Sequence, residues 1–313
     1  MRVSIRLAAL VLGLLIAADV WAQGTARSLD IQPGARQVAM GAAGVALADD
    51  PTGVAWWNPA ALGFVGRPAA EYTHSKLVPG LADDVTYNFL NYLHPMEGWG
   101  SFGIGMLFLS YGNIDLTNSS GTQIGNYTPV EFSPALYYGT QLFPDLSVGA
   151  AVKYVRVQLA PSSYQGIGST FGFDLGALYK IPAARLNFGL NVQNLGPSLA
   201  FIDEDKADPL SRNLKVGAAW VPITRKDFTL TLVEDFNQSL VNSEFRTYNH
   251  GAELSFVDQL AGRIGWVADP SGDISGLSYG FGVSWNNLSL DLGSMPQART
   301  LPAVTRITLG YRF

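Results

Sequence analysis

The 313-residue chain contains no cysteine. Without thiols there is no disulfide framework, no thiolate ligand, no thiol nucleophile and no cysteine to carry a lipid anchor. Histidine is scarce: His74, His94 and His250 are the whole supply, so metal centres and histidine-based triads have few builders. Charged residues make up 14% of the chain against 48% hydrophobic, and the net charge of −5 disfavours nucleic acid as a partner. Long hydrophobic runs are also missing. After residue 22 no stretch approaches the roughly 20 apolar residues that carry a helix across a bilayer.

What is present begins with an export signal. Arg2 and Arg6 precede an apolar run from Leu7 to Ala18, and Val20-Trp21-Ala22 supplies medium and small residues just before Gln23. Residues 1–22 therefore read as a cleaved secretory signal, since the run is too short for a spanning anchor. The mature chain is expected to pair residues 23–67, a plug or hatch, with residues 68–313, a barrel in the outer membrane of a Gram-negative type envelope.

The barrel is read from period-two hydrophobicity. From Ala69 onward about fourteen segments of roughly ten residues alternate large apolar with small or polar residues, the length a tilted strand needs to cross hydrocarbon. Phe171, Phe173, Leu175, Ala177 and Tyr179 share one face, and Gly172, Asp174, Gly176, Leu178 and Lys180 the other. Leu186, Phe188, Leu190 and Val192 alternate with Asn187, Gly189, Asn191 and Gln193. Leu277, Tyr279, Phe281, Val283 and Trp285 alternate with Ser278, Gly280, Gly282 and Ser284. Connections alternate in length as well. Short turns are expected at 95–98, 143–145, 182–184, 223–226, 257–259 and 286–287, and outer loops at 78–83, 111–128, 160–168, 196–213, 238–244, 269–275 and 294–302. Trp220, Trp266, Trp285, Tyr154, Tyr179, Tyr311 and Phe313 are expected near strand ends, as interfacial girdles. The fold class is thus all-β, a closed antiparallel transmembrane barrel of about fourteen strands with an N-terminal plug. The last strand, with Leu309, Tyr311 and Phe313 on one face, resembles the closing strand and terminal signal that outer-membrane barrels present to the barrel-assembly machinery.

About fourteen strands enclose more space than their own side chains fill, so an unfilled lumen would leak. Residues 24–67 are rich in Ala and Gly and can coil inside it. Inward glycines at 103, 105, 149, 172, 176, 189, 217, 265, 280, 282 and 310 either admit the plug backbone or relieve strand curvature. Lys153, Asp174, Lys180, Glu253, Arg263, Asp291, Arg306 and Arg312 fall on the lumen face, where they either anchor the plug or solvate the interior. Pro134 falls on the lipid face, where a missing ladder donor can open a local defect.

Within the plug, Arg36, Met40-Gly41, Gly44, Asp49-Asp50 and Asn58-Pro59-Ala60 are similar to the N-terminal motif of the FadL superfamily, and most of all to its PorV/PorQ branch. The stretches 146–154, 172–179, 191–197 and the Gly310-Tyr311-Arg312-Phe313 end carry the same likeness. It covers essentially the whole mature chain. This resemblance implies a non-enzymatic accessory of type IX secretion that binds exported cargo proteins at the cell surface and hands them on. Resemblance to the wider superfamily implies a passive transporter of hydrophobic molecules such as long-chain fatty acids. Nothing in the chain resembles a nucleophile elbow or phosphate loop, and no cofactor or metal is expected. Asp203, Glu204, Asp205 and Asp208 could collect a divalent cation, but match no calcium-loop spacing, and such a run is more often a solvated loop. Outer-membrane lipid and the barrel-assembly machinery are the partners expected whichever function holds. The processed chain is therefore predicted to sediment with outer membranes and to be released only by detergent; its recovery in a periplasmic extract would overturn the barrel.

Overall fold

The computed structural model describes residues 24–49, 53–161, 166–270, 274–298 and 301–313. The proposed signal, residues 1–22, lies outside the described residues. The alternating segments form β1 (Ala69–Val78), β2 (Ala82–Met96), β3 (Gly100–Tyr111), β4 (Ile114–Thr117), β5 (Gln123–Tyr127), β6 (Val130–Phe143), β7 (Leu146–Gln158) and β8 (Ile167–Ile181). They continue as β9 (Leu186–Leu195), β10 (Asn213–Thr224), β11 (Phe228–Ser239), β12 (Arg246–Phe256), β13 (Leu260–Ala268), β14 (Gly276–Trp285), β15 (Leu288–Met295) and β16 (Val304–Arg312). Fourteen of them close into a barrel in which each pairs with its sequence neighbours, and β1 meets β16 with Ala69 opposite Arg312 and Ser75 opposite Arg306. Closure leaves no unpaired edge, the condition for a sheet to sit in lipid.

Period-two patterning decides the two faces. Leu90, Ile104, Leu136, Phe171, Leu175, Leu190, Ile264, Tyr279, Phe281 and Leu309 are exposed on the exterior. Their partners in alternation point into the lumen, where Glu71, Asn91, Asp174, Asn191, Glu253 and Ser278 are buried. A continuous apolar exterior of this extent is a lipid surface.

Three expectations need correction. The span 111–128 is not an open loop, because β4 and β5 pair with each other as a hairpin above the barrel. Barrel strands run from eight residues in β15 to fifteen in β2 and β8 rather than about ten. The ladder continues past the hydrocarbon, where polar cross-strand pairs such as Lys76 with Asp83 (3.3 Å) replace lipid contacts. Tyr154 and Trp220 lie inside β7 and β10 rather than at their ends. Tyr154 belongs to an aromatic row across the wall, with ring centroids 6.4 Å from Phe132 and 5.5 Å from Phe171.

Residues 24–49 and 53–64 occupy the lumen. They contain two short helices, α1 (Ala35–Ala39) and α2 (Val54–Trp57), and the 3-10 turns Arg27–Asp30 and Pro59–Phe64. Their apolar residues are the protein's core: Met40, Leu47, Val54 and Ala60 pack on Leu178, Ala219 and Val233, while Trp56 and Trp57 pack on Tyr87, Phe89 and Leu107. Near the outer mouth Ala26 and Leu29 meet Val155, Val157, Leu199 and Leu210.

Small side chains let this segment approach the wall backbone. A Cβ on Gly149 would lie 2.4 Å from Ala60 N, one on Gly189 2.2 Å from Val45 O, and one on Gly265 2.1 Å from Gly41 N. Gly176 and Gly280 make similar room for Asn58 and Ala39, and so do Gly139, Gly251 and Gly293, which the alternation argument had not singled out. By contrast Gly103, Gly105, Gly217 and Gly282 admit neighbouring wall side chains, Leu93, Tyr137, Asp235 and Arg263 among them. Gly41 is itself constrained twice, by a φ of +74° and by the carbonyls of His250 and Trp266 that a Cβ would strike at 2.5 and 2.8 Å. Gly265→Val is predicted to cost about 1–3 kcal/mol through overpacking. It should lower the unfolding temperature of the detergent-solubilised barrel, whereas Gly262→Ala, with nothing within 4 Å of the added carbon, should not.

Candidate functional site: the plug and the barrel mouths

A largely irregular segment inside a dry lumen cannot satisfy its own backbone, so the wall must supply partners. From the outer mouth downward, Ser28 N donates to Glu131 Oε2 (3.0 Å), Tyr87 Oη donates to Ile31 O (3.0 Å) and Ala35 N donates to Thr308 Oγ1 (2.9 Å). Ser278 Oγ accepts from Gly41 N (2.7 Å), and Asn249 Nδ2 donates to Gly41 O. Asp235 Oδ2 takes both Gly44 N (2.7 Å) and Val45 N (3.0 Å). Gln193 Nε2 and Asn191 Nδ2 hold Trp56 O (2.7 Å) and Trp57 O (2.8 Å), and Ser147 Oγ holds Ala60 O (2.6 Å). These partners come from strands all round the barrel. Pattern reading placed Asn191, Gln193 and Ser278 inward, but gave no reason to treat them as plug ligands; the signal available was a polar residue two positions from an inward glycine.

The charged positions divide into separate groups. Arg36 projects from α1 to Glu253, with Nε 2.9 Å from Oε2 and Nη2 2.7 Å from Oε1, and also forms a fork with Asp49 at 3.2 and 2.9 Å. Glu253 also accepts from Arg263 Nε (2.6 Å), whose Nη1 reaches Asp291 (2.5 Å). Glu253, Arg263 and Asp291 thus join the wall to the plug through Arg36. Lys153 and Asp174 instead pair with each other at 2.7 Å, and Asn194 is tied to both. Lys180 sits 3.7 Å over the ring of Phe64. Arg306 is buried, its Nη1 3.0 Å from Met295 Sδ. Arg312 is exposed, and with Ala48, Asp49, Phe64, Val65, Gly66 and Arg67 lines a pocket of about 410 Å³ at the inner mouth, apart from the buried groups. Lys215, which the sequence did not single out, is 2% exposed and stands 5.1 and 5.0 Å from the rings of Trp56 and Trp57.

Of the plug motif, Asn58 does the most. Its Oδ1 accepts from Ala60 N (3.0 Å) to start the turn that Pro59 favours, and its Nδ2 donates to Val45 O (2.9 Å) and to Ala177 O on β8 (3.0 Å). Arg36, Met40, Gly41 and Gly44 line the buried wall contacts given above, while Asp49 stands at the inner mouth. Asp50 lies outside the described residues. In the outer loop after β9, Asp203 is 3.9 Å from Lys206 and Asp208 pairs by backbone with Leu199, so these residues are not gathered. No cluster of His, Asp and Glu suited to a metal occurs among the described residues.

An apolar-walled barrel of fourteen antiparallel strands, threaded by its own N-terminal segment, is an outer-membrane protein of the FadL-like architecture. The toluene transporter TbuX of Ralstonia pickettii superposes with a TM-score of 0.61 at 15% identity, over 90% of this chain and 98% of that one. The toluene transporter TodX of Pseudomonas putida gives 0.59 at 14%, over 90% and 97%, and a FadL homologue of Pseudomonas aeruginosa 0.51 at 13%, over 90% and 99%. At such identities the likeness is one of fold. No curated protein matches the chain. The family model described as Type IX secretion system protein PorV matches residues 18–246, and the chain belongs to that family.

Glu253→Ala leaves Arg36 and Arg263 without their shared carboxylate. Breaking a buried pair in this way costs about 3–5 kcal/mol. The variant is predicted to lower the denaturant midpoint of the detergent-solubilised protein and to expose the plug to protease before the barrel unfolds.

Proposed function

We propose that this outer-membrane barrel is a non-enzymatic accessory of type IX secretion that binds exported proteins at the cell surface and hands them on. Membership of the PorV family, matched through the plug and onward to the start of β12, carries the reading. Two structural features support it. The plug is held by side chains around the whole circumference, which favours a closed lumen over an open conduit. The mouth with the longer connections, the outer one in barrels of this class, presents apolar groups away from lipid: Leu81, Ile202, and Ile114 and Ile124 on the β4–β5 hairpin. The segment 1–22 would be removed on export and residues 23–67 would act as the hatch.

One observation favours the second reading, a passive carrier of hydrophobic solutes. Between β6 and β7 the pairing passes from Phe132 with Arg156 directly to Ala135 with Lys153, skipping Ser133 and Pro134. Pro134 lacks a ladder donor, and the Ser133 hydroxyl just inside is buried without a hydrogen-bond partner. A weakened ladder is where a wall could part for lateral movement of an apolar solute. Mild detergent extraction followed by identification of co-purifying molecules separates the two. A stoichiometric secretion component or exported protein is expected; recovered apolar ligand without a protein partner would replace the secretion reading by the carrier.

A further inference from the structure

On the lipid-facing side of the wall, Glu234 of β11 stands directly opposite His250 of β12, and His250 Nδ1 is hydrogen-bonded to Glu234 Oε2. Their side chains are 64% and 47% exposed, well inside both strands. The other exposed acidic side chains of the barrel strands are Asp83 and Asp84, at the outer end of β2 where water is near. Glu71, Glu131, Asp174, Asp235, Glu253 and Asp291 all point inward. Around the pair the exterior is apolar, with Leu232 and Phe236 on β11, Tyr248 and Ala252 on β12, Ala218 opposite Glu234 on β10 and Trp266 opposite His250 on β13. A carboxylate on the lipid-facing side of a barrel wall is costly, and ionisable groups there mark functional contacts more often than chance placement.

We propose that this face is a homodimer interface within the membrane, its occupant a second copy of the same chain. The argument is one of symmetry. Copies inserted in the same direction can be related by a two-fold axis only if it lies along the membrane normal. A two-fold axis standing in the lipid in front of the Glu234–His250 pair turns each Glu234 toward the partner's His250, because the two residues lie side by side on neighbouring strands and the rotation exchanges left and right. The pair is therefore its own complement. His250 Nε2 has no hydrogen-bond partner among the described residues, and the partner's Glu234 would accept from it. With both rings as imidazolium, the four side chains would close a ring in which each carboxylate takes one proton from each imidazolium and none faces lipid. Ala218 and Ala252, beside the pair, leave room for the two walls to approach.

The test uses the absence of cysteine. Ala252→Cys is placed in the full-length, exported protein, with Ile104→Cys, exposed on the far side of the barrel, as control, and outer membranes are oxidised mildly. A disulfide-linked dimer is expected from Ala252→Cys and not from Ile104→Cys. Adding Glu234→His, which sets four imidazoles together, should reduce the dimer about tenfold or more. The exchange Glu234→His with His250→Glu keeps the self-complementary pattern and should restore it. The heat-dependent electrophoretic shift of a folded barrel reports that each variant is inserted. No dimer above the control, a crosslink to a different protein, or a folded exchange variant that fails to recover would each overturn the proposal.

Discussion

The structure depends on one constraint: an irregular peptide segment sealed in a dry lumen must have its backbone polar groups met by something other than water. A buried amide or carbonyl left alone costs about 1–3 kcal/mol, more than an ordinary hydrogen bond contributes in net terms. Thr308, Ser278, Asn249, Asp235, Gln193, Asn191 and Ser147 answer that demand from successive parts of the wall. Their spread round the circumference makes the plug a structural member rather than a loosely held insert. Removing it would strand those side chains as well as the peptide groups they serve.

The same constraint explains the division of the charged residues. Mixed charges in the lumen could have solvated a wet interior, but the buried ones are engaged with protein. Arg36 brings a guanidinium from the plug to Glu253, which also accepts from Arg263, so these three charges meet one another inside the low-dielectric lumen. Lys153 and Asp174 solve the same problem within the wall. The outer face solves it for carboxylates by exclusion, keeping them at the end of β2 apart from Glu234, which pairs with His250. A wall so strict elsewhere makes that pair conspicuous.

Alternation made the barrel legible before any coordinates, because in a membrane strand the two faces meet opposite solvents and each residue declares its side. Strand number followed, as did the alternation of turns and loops and the inward placement of Lys153, Asp174, Glu253, Arg263 and Arg306. Strand length was less legible, since hydrophobicity stops at the lipid boundary while the hydrogen-bonded ladder of β2 and β8 runs on. The β4–β5 hairpin was hidden for a related reason: only its backbone pairing, with no lipid or core to pattern it, distinguishes it from a loop. The plug contacts were the least legible part. Ser278 and Asn191 are polar lumen residues like many others until the peptide they hold is folded against them.

By itself the chain's residue order determined which face of each strand meets lipid, that an Ala- and Gly-rich segment precedes the first strand, and where its motif lies. Those are local properties, fixed by side-chain chemistry at a spacing of two or by the sizes of adjacent side chains. Only the tertiary structure decided which glycines admit the plug and which admit a neighbouring side chain, that Arg36 reaches Glu253 across 217 positions, and that Glu234 stands beside His250. Such pairings depend on strand register and barrel closure, and these are set by the whole sheet at once rather than by any one segment of it.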